Sequence, residues 1–223
     1  MILSLSHRFI FVHVPKTAGS SVTMALRPYA LMPPRTLWRS FSRRLPIVEP
    51  PQKAHFRLHE TALDIRRKLS PPVFESFERF AVVRNPFDHA VSYFRYMRQF
   101  RDRKVAARFE RLSFRDYLAE RTKKPSLRTP FFARLPDQSH FLIDQRGELL
   151  VDRVVKFERL DLEMTGLARD LGLKGFTLKR LNVTRDKPRK RSWQSYYDTA
   201  TRDMVLAIYD RDFDTLGYPR EIS

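Results

Sequence analysis

Residues 8–21 of the chain are RFIFVHVPKTAGSS, and the class of fold follows from this stretch. The β-branched and aromatic run that ends at Val14 predicts a buried strand, with a turn at Pro15. Helix-favouring residues follow from Ser20 to Arg27, and Pro28 closes the helix because proline disfavours helical geometry in the residue before it. The stretch therefore predicts a strand, a turn and a helix in succession.

The predicted turn, PKTAGSS, has the composition of a phosphate-binding loop. Backbone N–H groups, the positive end of a helix dipole and a lysine together form a cradle for an anion. Lys16 supplies the charge, Gly19 permits a close backbone approach, and Ala18 lies between the hydroxyl side chains of Thr17, Ser20 and Ser21. A Walker loop is excluded because its lysine follows the second glycine, whereas Lys16 precedes Gly19. The alternative is an ordinary strand-to-helix turn with an exposed lysine.

A second strand, turn and helix unit begins at Phe80. The run FAVV, which ends at Val83, predicts another buried strand. Asn85 suits a helix N-cap and Pro86 suits the first helical position, so a helix should follow. We expect this helix to continue through a basic stretch toward Arg111.

The residues VVRNPFDHAVSYF of this second unit can provide another anion site. Arg84 at the end of the strand and Ser92 in the second turn of the helix can converge on one anionic group. Two such sites suggest a nucleotide with two separate anionic ends. An ordinary salt bridge of Arg84 is the alternative.

Strands and helices also alternate along the rest of the chain. Further predicted elements are a helix over 58–69 with a capping box at Thr61 and Asp64, a helix over 113–120, a strand over 149–157, and helices over 161–171 and 194–209. Residues 28–57 form a basic, proline-rich excursion, and 123–136 and 185–191 are predicted loops. The order predicts an α/β fold over residues 1–223, a single domain with a mainly parallel central sheet flanked by helices.

Composition narrows the class of protein. The 223 residues are 42% hydrophobic, which suffices for one sizeable core, and their net charge of +18 implies an anionic partner or a solubility device. The absence of cysteine excludes disulfides, a cysteine nucleophile and a thiolate metal site. The apolar N-terminal stretch is interrupted by His7 and Arg8, so we expect neither a signal peptide nor a transmembrane segment. The expected location is therefore the cytoplasm.

Taken together, the two anion motifs resemble those of sulfotransferases that use 3′-phosphoadenosine 5′-phosphosulfate (PAPS). The similarity is to the carbohydrate type, which includes the heparan 2-O and chondroitin enzymes and bacterial relatives. FVHVPKTAGSS resembles the 5′-phosphosulfate loop of the family, and VVRNPFDHAVSYF resembles its 3′-phosphate motif. The segment VDRVVKFERL and the tail over 181–218 are also similar, so the resemblance spans most of the chain.

The resemblance implies an architecture related to nucleotide kinases and a role for each matching residue. Lys16 would contact the bridging and sulfonate oxygens, and the 5′-phosphate would be wrapped by Thr17, Ala18, Gly19, Ser20 and Ser21. Arg84 and Ser92 would hold the 3′-phosphate. The chain departs from the family where His89 replaces a frequent arginine, and it lacks the glycine-rich C-terminal phosphate loop of the cytosolic small-molecule enzymes. A basic loop that includes Arg189, Lys190 and Arg191 is expected to replace that loop, or else is a solvated surface.

Sulfuryl transfer to a hydroxyl also needs a base, and histidine suits this task near neutral pH. His59, in the context LHETALDIRRKL, resembles a histidine that precedes a short helix in bacterial relatives, so it is the first choice and His55 the second. His7 and His13 are expected to be structural.

The sequence analysis thus predicts PAPS-dependent sulfuryl transfer to a hydroxyl of a carbohydrate or glycoconjugate, with no metal and no nucleic-acid partner. Two alternatives stay open. One is a small-molecule kinase with a degenerate phosphate loop, and the other is a non-catalytic protein that binds polyanions or nucleic acid through its basic surface.

Overall fold

The chain forms a four-stranded sheet in which the strands follow chain order. In this computed structural model the described residues are 1–31, 45, 47–123, 136–179 and 191–222. The strands are β1 (Ile2–Ser4), β2 (Phe9–Val12), β3 (Glu78–Val83) and β4 (Arg153–Lys156). β1 runs antiparallel to β2, whereas β2, β3 and β4 are parallel, with Phe11 opposite Phe80 and Val82 opposite Val155. The sheet is therefore only partly parallel, because β1 is an antiparallel edge strand that the sequence analysis did not predict.

Nine helices are present in the described residues, and they confirm a mixed α/β fold. They are α1 (Gly19–Leu26), α2 (Ala62–Leu69), α3 (Pro71–Glu75), α4 (Pro86–Met97), α5 (Arg103–Arg111), α6 (Phe114–Thr122), α7 (Leu160–Asp170), α8 (Thr199–Ile208) and α9 (Asp210–Leu216). Single 3-10 turns lie at Arg27–Tyr29, Ser139–Phe141, Phe157–Arg159 and Gln194–Tyr196. None of the helices in the described residues is long and apolar enough to cross a membrane.

The contacts divide the chain into two compact units. The first unit contains the sheet with α1, α2, α3 and α7, and the second contains α4, α5, α6, α8 and α9. The chain enters the second unit at Arg84, directly after β3, and returns to the first at His140. The predicted assignment of residues 1–223 to one domain stays a prediction.

The core of the first unit lies between the sheet and two helices. One face of β2 and β3 presents Phe9, Phe11, Phe80 and Val82 to buried side chains of α1 and α7. The intervening residues, Ile10, Val12, Ala81 and Val83, are also fully buried. Parallel strands that are covered on both faces carry continuous apolar runs, which explains why these strands were recognisable in the sequence.

The core of the second unit is built from aromatic rings. The ring of Phe94 in α4 packs at 5.5–6.1 Å, between centroids, from the rings of Phe109, Phe114 and Tyr117. Because aromatic side chains bury a large apolar area, this cluster joins α4, α5 and α6.

Several predicted boundaries were wrong. α2 begins at Ala62 and not at Leu58, which is 58% exposed. The predicted cap at Thr61 is confirmed, because its hydroxyl accepts from the backbone N–H of Asp64. The helix predicted to reach Arg111 ends at Met97, because the side chain of Asp102 caps a new helix, α5. The strand predicted over 149–157 forms only at Arg153–Lys156.

The C-terminal helix is also divided. The segment predicted as one helix over 194–209 consists of a 3-10 turn followed by α8. Asp198 and Thr201 form a capping box at the start of α8, and α9 follows α8. Each of the three predicted loops lies partly outside the described residues: 28–57, 123–136 and 185–191.

Candidate functional site

The turn between β2 and α1 has an unusual backbone. Lys16 and Ala18 adopt positive φ angles of 67° and 64°, and Thr17 between them does not. When the φ angles of successive residues alternate in sign, their backbone N–H groups point into one concavity that suits an anion. Two non-glycine residues in the left-handed region cost about 1–2 kcal/mol each, and such strain concentrates at functional sites. The predicted phosphate loop thus has a strained backbone of this kind, and its binding of a phosphate stays a prediction.

Thr17 holds this turn closed. It is fully buried, and its hydroxyl donates to the backbone carbonyl of Val14 at 3.0 Å. Ser21 is also buried, whereas Ser20 is exposed at the start of α1. The hydroxyl proton of Thr17 therefore serves the loop itself.

Gly19 is required by the close approach of His13. A Cβ atom at Gly19 would lie 1.7 Å from Nε2 of His13, well inside van der Waals contact. The His13 ring cannot easily move, because it is buried, stacks on Phe11 at 5.8 Å and lies 4.5 Å from the ring of His59. The first residue of α1 therefore packs directly on His13, the residue that follows β2.

His59 is oriented by the same residue. Its Nδ1 lies 2.9 Å from the backbone oxygen of His13, and since a carbonyl only accepts, Nδ1 carries the proton. Nε2 is then the unprotonated nitrogen, and His59 is exposed in the turn before α2. This tautomer can accept a proton through Nε2.

Both histidines are neutral near pH 7. Burial lowers the pKa of His13 to about 3, and partial burial also lowers the pKa of His59, although the His13 carbonyl favours the charged form of that ring. A neutral imidazole is the form that acts as a general base.

The turn that carries His59 is held by its neighbour Glu60. The Glu60 carboxylate is fully buried and accepts from the backbone N–H of Arg57 at 2.6 Å and from Nζ of Lys68 at 3.0 Å. Burial alone would raise the pKa of Glu60, but the hydrogen bonds from Arg57 and Lys68 hold it below its usual value. Glu60 and Lys68 were not predicted as site residues, and no local pattern marks them.

His55, the second choice for the base, is less suited to proton transfer. Its Nδ1 lies 3.2 Å from the carboxylate of Glu49, and its buried Nε2 has no hydrogen-bond partner among the described residues. Of the remaining histidines, His89 is buried with Nδ1 3.3 Å from the hydroxyl of Tyr209.

In the second unit Arg84 and Ser92 are in contact, and Arg84 also forms a salt bridge, the alternative stated for it above, with Asp88. NH1 of Arg84 donates to the hydroxyl of Ser92 at 3.1 Å, and Nε donates to the carboxylate of Asp88 at 2.7 Å. Asp88 was not predicted, although an acid four residues after an arginine is a recognisable pairing signal in a helical context. The guanidinium is thus held beside a hydroxyl in the second turn of α4, an arrangement that suits an oxyanion.

The backbone of Arg84 is also held. The side-chain amide of Gln138 accepts from the N–H of Arg84 at 2.9 Å and donates to its carbonyl at 2.8 Å, and Asp212 in turn binds Gln138. Both Gln138 and Asp212 are fully buried, and neither was predicted as a site residue.

The basic loop that was expected to provide Arg189, Lys190 and Arg191 lies mostly outside the described residues. Arg189 and Lys190 are not among them. Arg191 is described: it is exposed, and its backbone carbonyl accepts from the guanidinium of Arg95. Within the described ranges, no three His, Asp or Glu side chains come together as metal ligands.

Comparison with known proteins agrees with the motifs. Neither the curated proteins nor the solved structures contain a significant match to the chain. The family model described as "Sulfotransferase family" matches residues 1–219, which is nearly the whole chain. The chain therefore belongs to the sulfotransferase family.

Proposed function

We propose that this sulfotransferase transfers a sulfuryl group from PAPS to a hydroxyl of a carbohydrate or glycoconjugate, with His59 as the general base. The observation that carries the proposal is the double role of His13. Its ring packs on Gly19 of the anion cradle, and its carbonyl orients His59. One residue, His13, thereby contacts both the loop proposed to bind the phosphosulfate and the histidine proposed to accept the proton.

In this proposal the residues that fit the donor form two sets. The 5′-phosphosulfate binds at the cradle of Lys16, Thr17, Ala18, Gly19, Ser20 and Ser21, and the strained backbone there supports this assignment. The 3′-phosphate binds Arg84 and Ser92, whose side chains are already in contact. The donor supplies the sulfuryl group and an adenosine bisphosphate leaving group.

Each residue has a defined chemical task. Nε2 of His59 accepts the proton of the acceptor hydroxyl, and the carbonyl of His13 stabilises the imidazolium that results by accepting from Nδ1. The ammonium of Lys16 and the N–H groups of the cradle stabilise negative charge on the leaving phosphate. No metal ion takes part in the proposed reaction.

The acceptor is proposed to be anionic. The net charge of +18 favours anionic ligands through long-range attraction, and exposed basic residues are concentrated over 98–111. An acidic polysaccharide or glycoconjugate is therefore the class of acceptor that this surface favours.

A ligand comparison tests the proposal. Adenosine 3′,5′-bisphosphate, without metal, should raise the melting temperature and bind in calorimetry, because a ligand that binds only the folded state stabilises it by mass action. ATP with magnesium should stabilise the protein much less. Equal or greater stabilisation by ATP with magnesium would overturn the proposal in favour of a kinase.

A further inference from the structure

The side-chain amide of Gln138 pairs with Arg84 as a neighbouring strand would. Its Oε1 accepts from the backbone N–H of Arg84 at 2.9 Å, and its Nε2 donates to the backbone carbonyl at 2.8 Å. In a sheet, this two-sided pairing comes from the backbone of an adjacent strand. Here the side chain of Gln138 provides this pairing to Arg84, the residue that follows β3 and carries the guanidinium.

Asp212 fixes the orientation of that amide. Its carboxylate accepts from the side-chain Nε2 of Gln138 at 3.2 Å and from the backbone N–H groups of Gln138 and Ser139 at 3.0 and 2.7 Å. Because the carboxylate accepts, the NH₂ group of Gln138 must face it, and Oε1 must face the N–H of Arg84. The amide can therefore adopt only one of its two orientations.

We infer that Gln138 and Asp212 are positioning residues for the 3′-phosphate subsite, an inference that rests on the proposed function. They hold the backbone of Arg84, while Asp88 and Ser92 hold its guanidinium. An arginine fixed at both ends loses less conformational entropy when it binds a phosphate, so its contact is stronger. The fixed backbone thereby contributes to the discrimination between a 3′-phosphorylated nucleotide and one without that phosphate.

The experiment is a double-mutant cycle between Gln138 and Arg84. Gln138→Met removes, at similar volume, the two amide hydrogen bonds to Arg84 and the one to Asp212. Gln138→Asn shortens the side chain by one methylene and is the milder variant. Calorimetry gives the Kd of adenosine 3′,5′-bisphosphate and of adenosine 5′-phosphate for wild type, each Gln138 variant, Arg84→Ala and the double variants. Gln99→Met is the matched control, because Gln99 is exposed in the same unit.

Gln138→Met should weaken bisphosphate binding roughly tenfold or more and leave the Kd of adenosine 5′-phosphate within about twofold. Gln138→Asn should show a smaller loss of the same kind and serves alone if the Met variant does not fold. In the Arg84→Ala background either change should have no further effect, because it acts through the guanidinium. Asp212→Asn should reproduce the selective loss, and Gln99→Met should match wild type.

Two results would overturn the inference in distinguishable ways. If wild type prefers the bisphosphate but the effects of Gln138 and Arg84 are additive, or both nucleotides lose affinity equally, Gln138 does not act through Arg84 and only this inference fails. If wild type binds both nucleotides equally, the proposed 3′-phosphate subsite fails, and the positioning role fails with it.

Discussion

At the scale of single residues, one backbone carbonyl determines what His59 can do. An exposed histidine with no fixed partner exchanges freely between its two neutral tautomers. The carbonyl of His13 accepts from Nδ1, so it selects the tautomer whose Nε2 can accept a proton. In the proposed reaction this carbonyl, which directly follows β2, takes the place of the carboxylate that commonly orients a catalytic histidine.

His59→Ala should lower kcat by roughly 10²–10⁴-fold and leave the Kd of adenosine 3′,5′-bisphosphate unchanged, because the imidazole is assigned to the acceptor hydroxyl. Steady-state kinetics and calorimetry measure the two quantities. His55→Ala is the matched control and should retain activity, since Nε2 of His55 is buried. A folded but inactive His55→Ala beside an active His59→Ala would transfer the base to His55.

The pH profile gives a second test of His59. Its pKa is lowered by burial, so the neutral, active form persists below the ordinary histidine pKa of about 6.5. The midpoint of the acid limb of kcat/KM should therefore lie below about pH 6.5. An acid limb above pH 6.5 that is lost in His59→Ala would show that the imidazolium is stabilised in the free enzyme.

At the scale of elements, the turn from β2 to α1 depends on close packing between a ring and a backbone. Glycine is the only residue type that can begin α1 where the His13 ring lies, and the reason is steric because the φ of Gly19 is not positive. The same ring is in contact with the turn that bears His59. A change at Gly19 should therefore affect the cradle and the base together.

Gly19→Ala should destabilise the protein by about 1–3 kcal/mol through overpacking and should lower both bisphosphate affinity and kcat. Gly166→Ala is the control, because Gly166 lies inside α7 and a Cβ atom there would meet nothing within 4 Å, so alanine should stabilise the helix by up to about 1 kcal/mol. Urea unfolding, calorimetry and kinetics compare the two variants. Equal behaviour of the two would contradict the packing argument.

At the scale of the whole molecule, the excess of positive charge is the dominant electrostatic feature. The +18 charge attracts anions over a distance that salt controls, because the Debye length decreases as ionic strength rises. Short-range contacts in the two proposed anion sites would be screened less than exposed charges. The acceptor and the donor should therefore differ in their response to salt.

Affinity for an acidic polysaccharide such as a polyuronic acid should fall roughly tenfold or more as salt rises from about 0.05 to about 0.3 M. Affinity for adenosine 3′,5′-bisphosphate should fall less, and a neutral glucan serves as the matched acceptor control. Titrations at several salt concentrations measure the slopes. Salt-independent binding of the acidic polymer would indicate that the charge serves solubility instead.

Local patterns of residues were sufficient to predict most elements and their caps. Continuous apolar runs predicted β2 and β3, and hydrogen-bonding side chains at helix starts predicted the caps at Thr61 and Asn85. The Arg84 to Ser92 spacing within one strand, turn and helix unit also placed the two side chains near each other, and the structure has them in contact. These features depend on interactions between residues close in sequence, so composition and spacing encode them.

The distant residues that support the site emerged only from the folded chain. His59 meets the carbonyl of a residue 46 positions away, and Gln138 pairs with the backbone of a residue 54 positions away. No periodicity marks such contacts, because they depend on how the chain returns after long connections. The buried polar residues Glu60, Gln138 and Asp212 became visible only through their hydrogen bonds, since burial of a polar group is favourable only when folding supplies its partners.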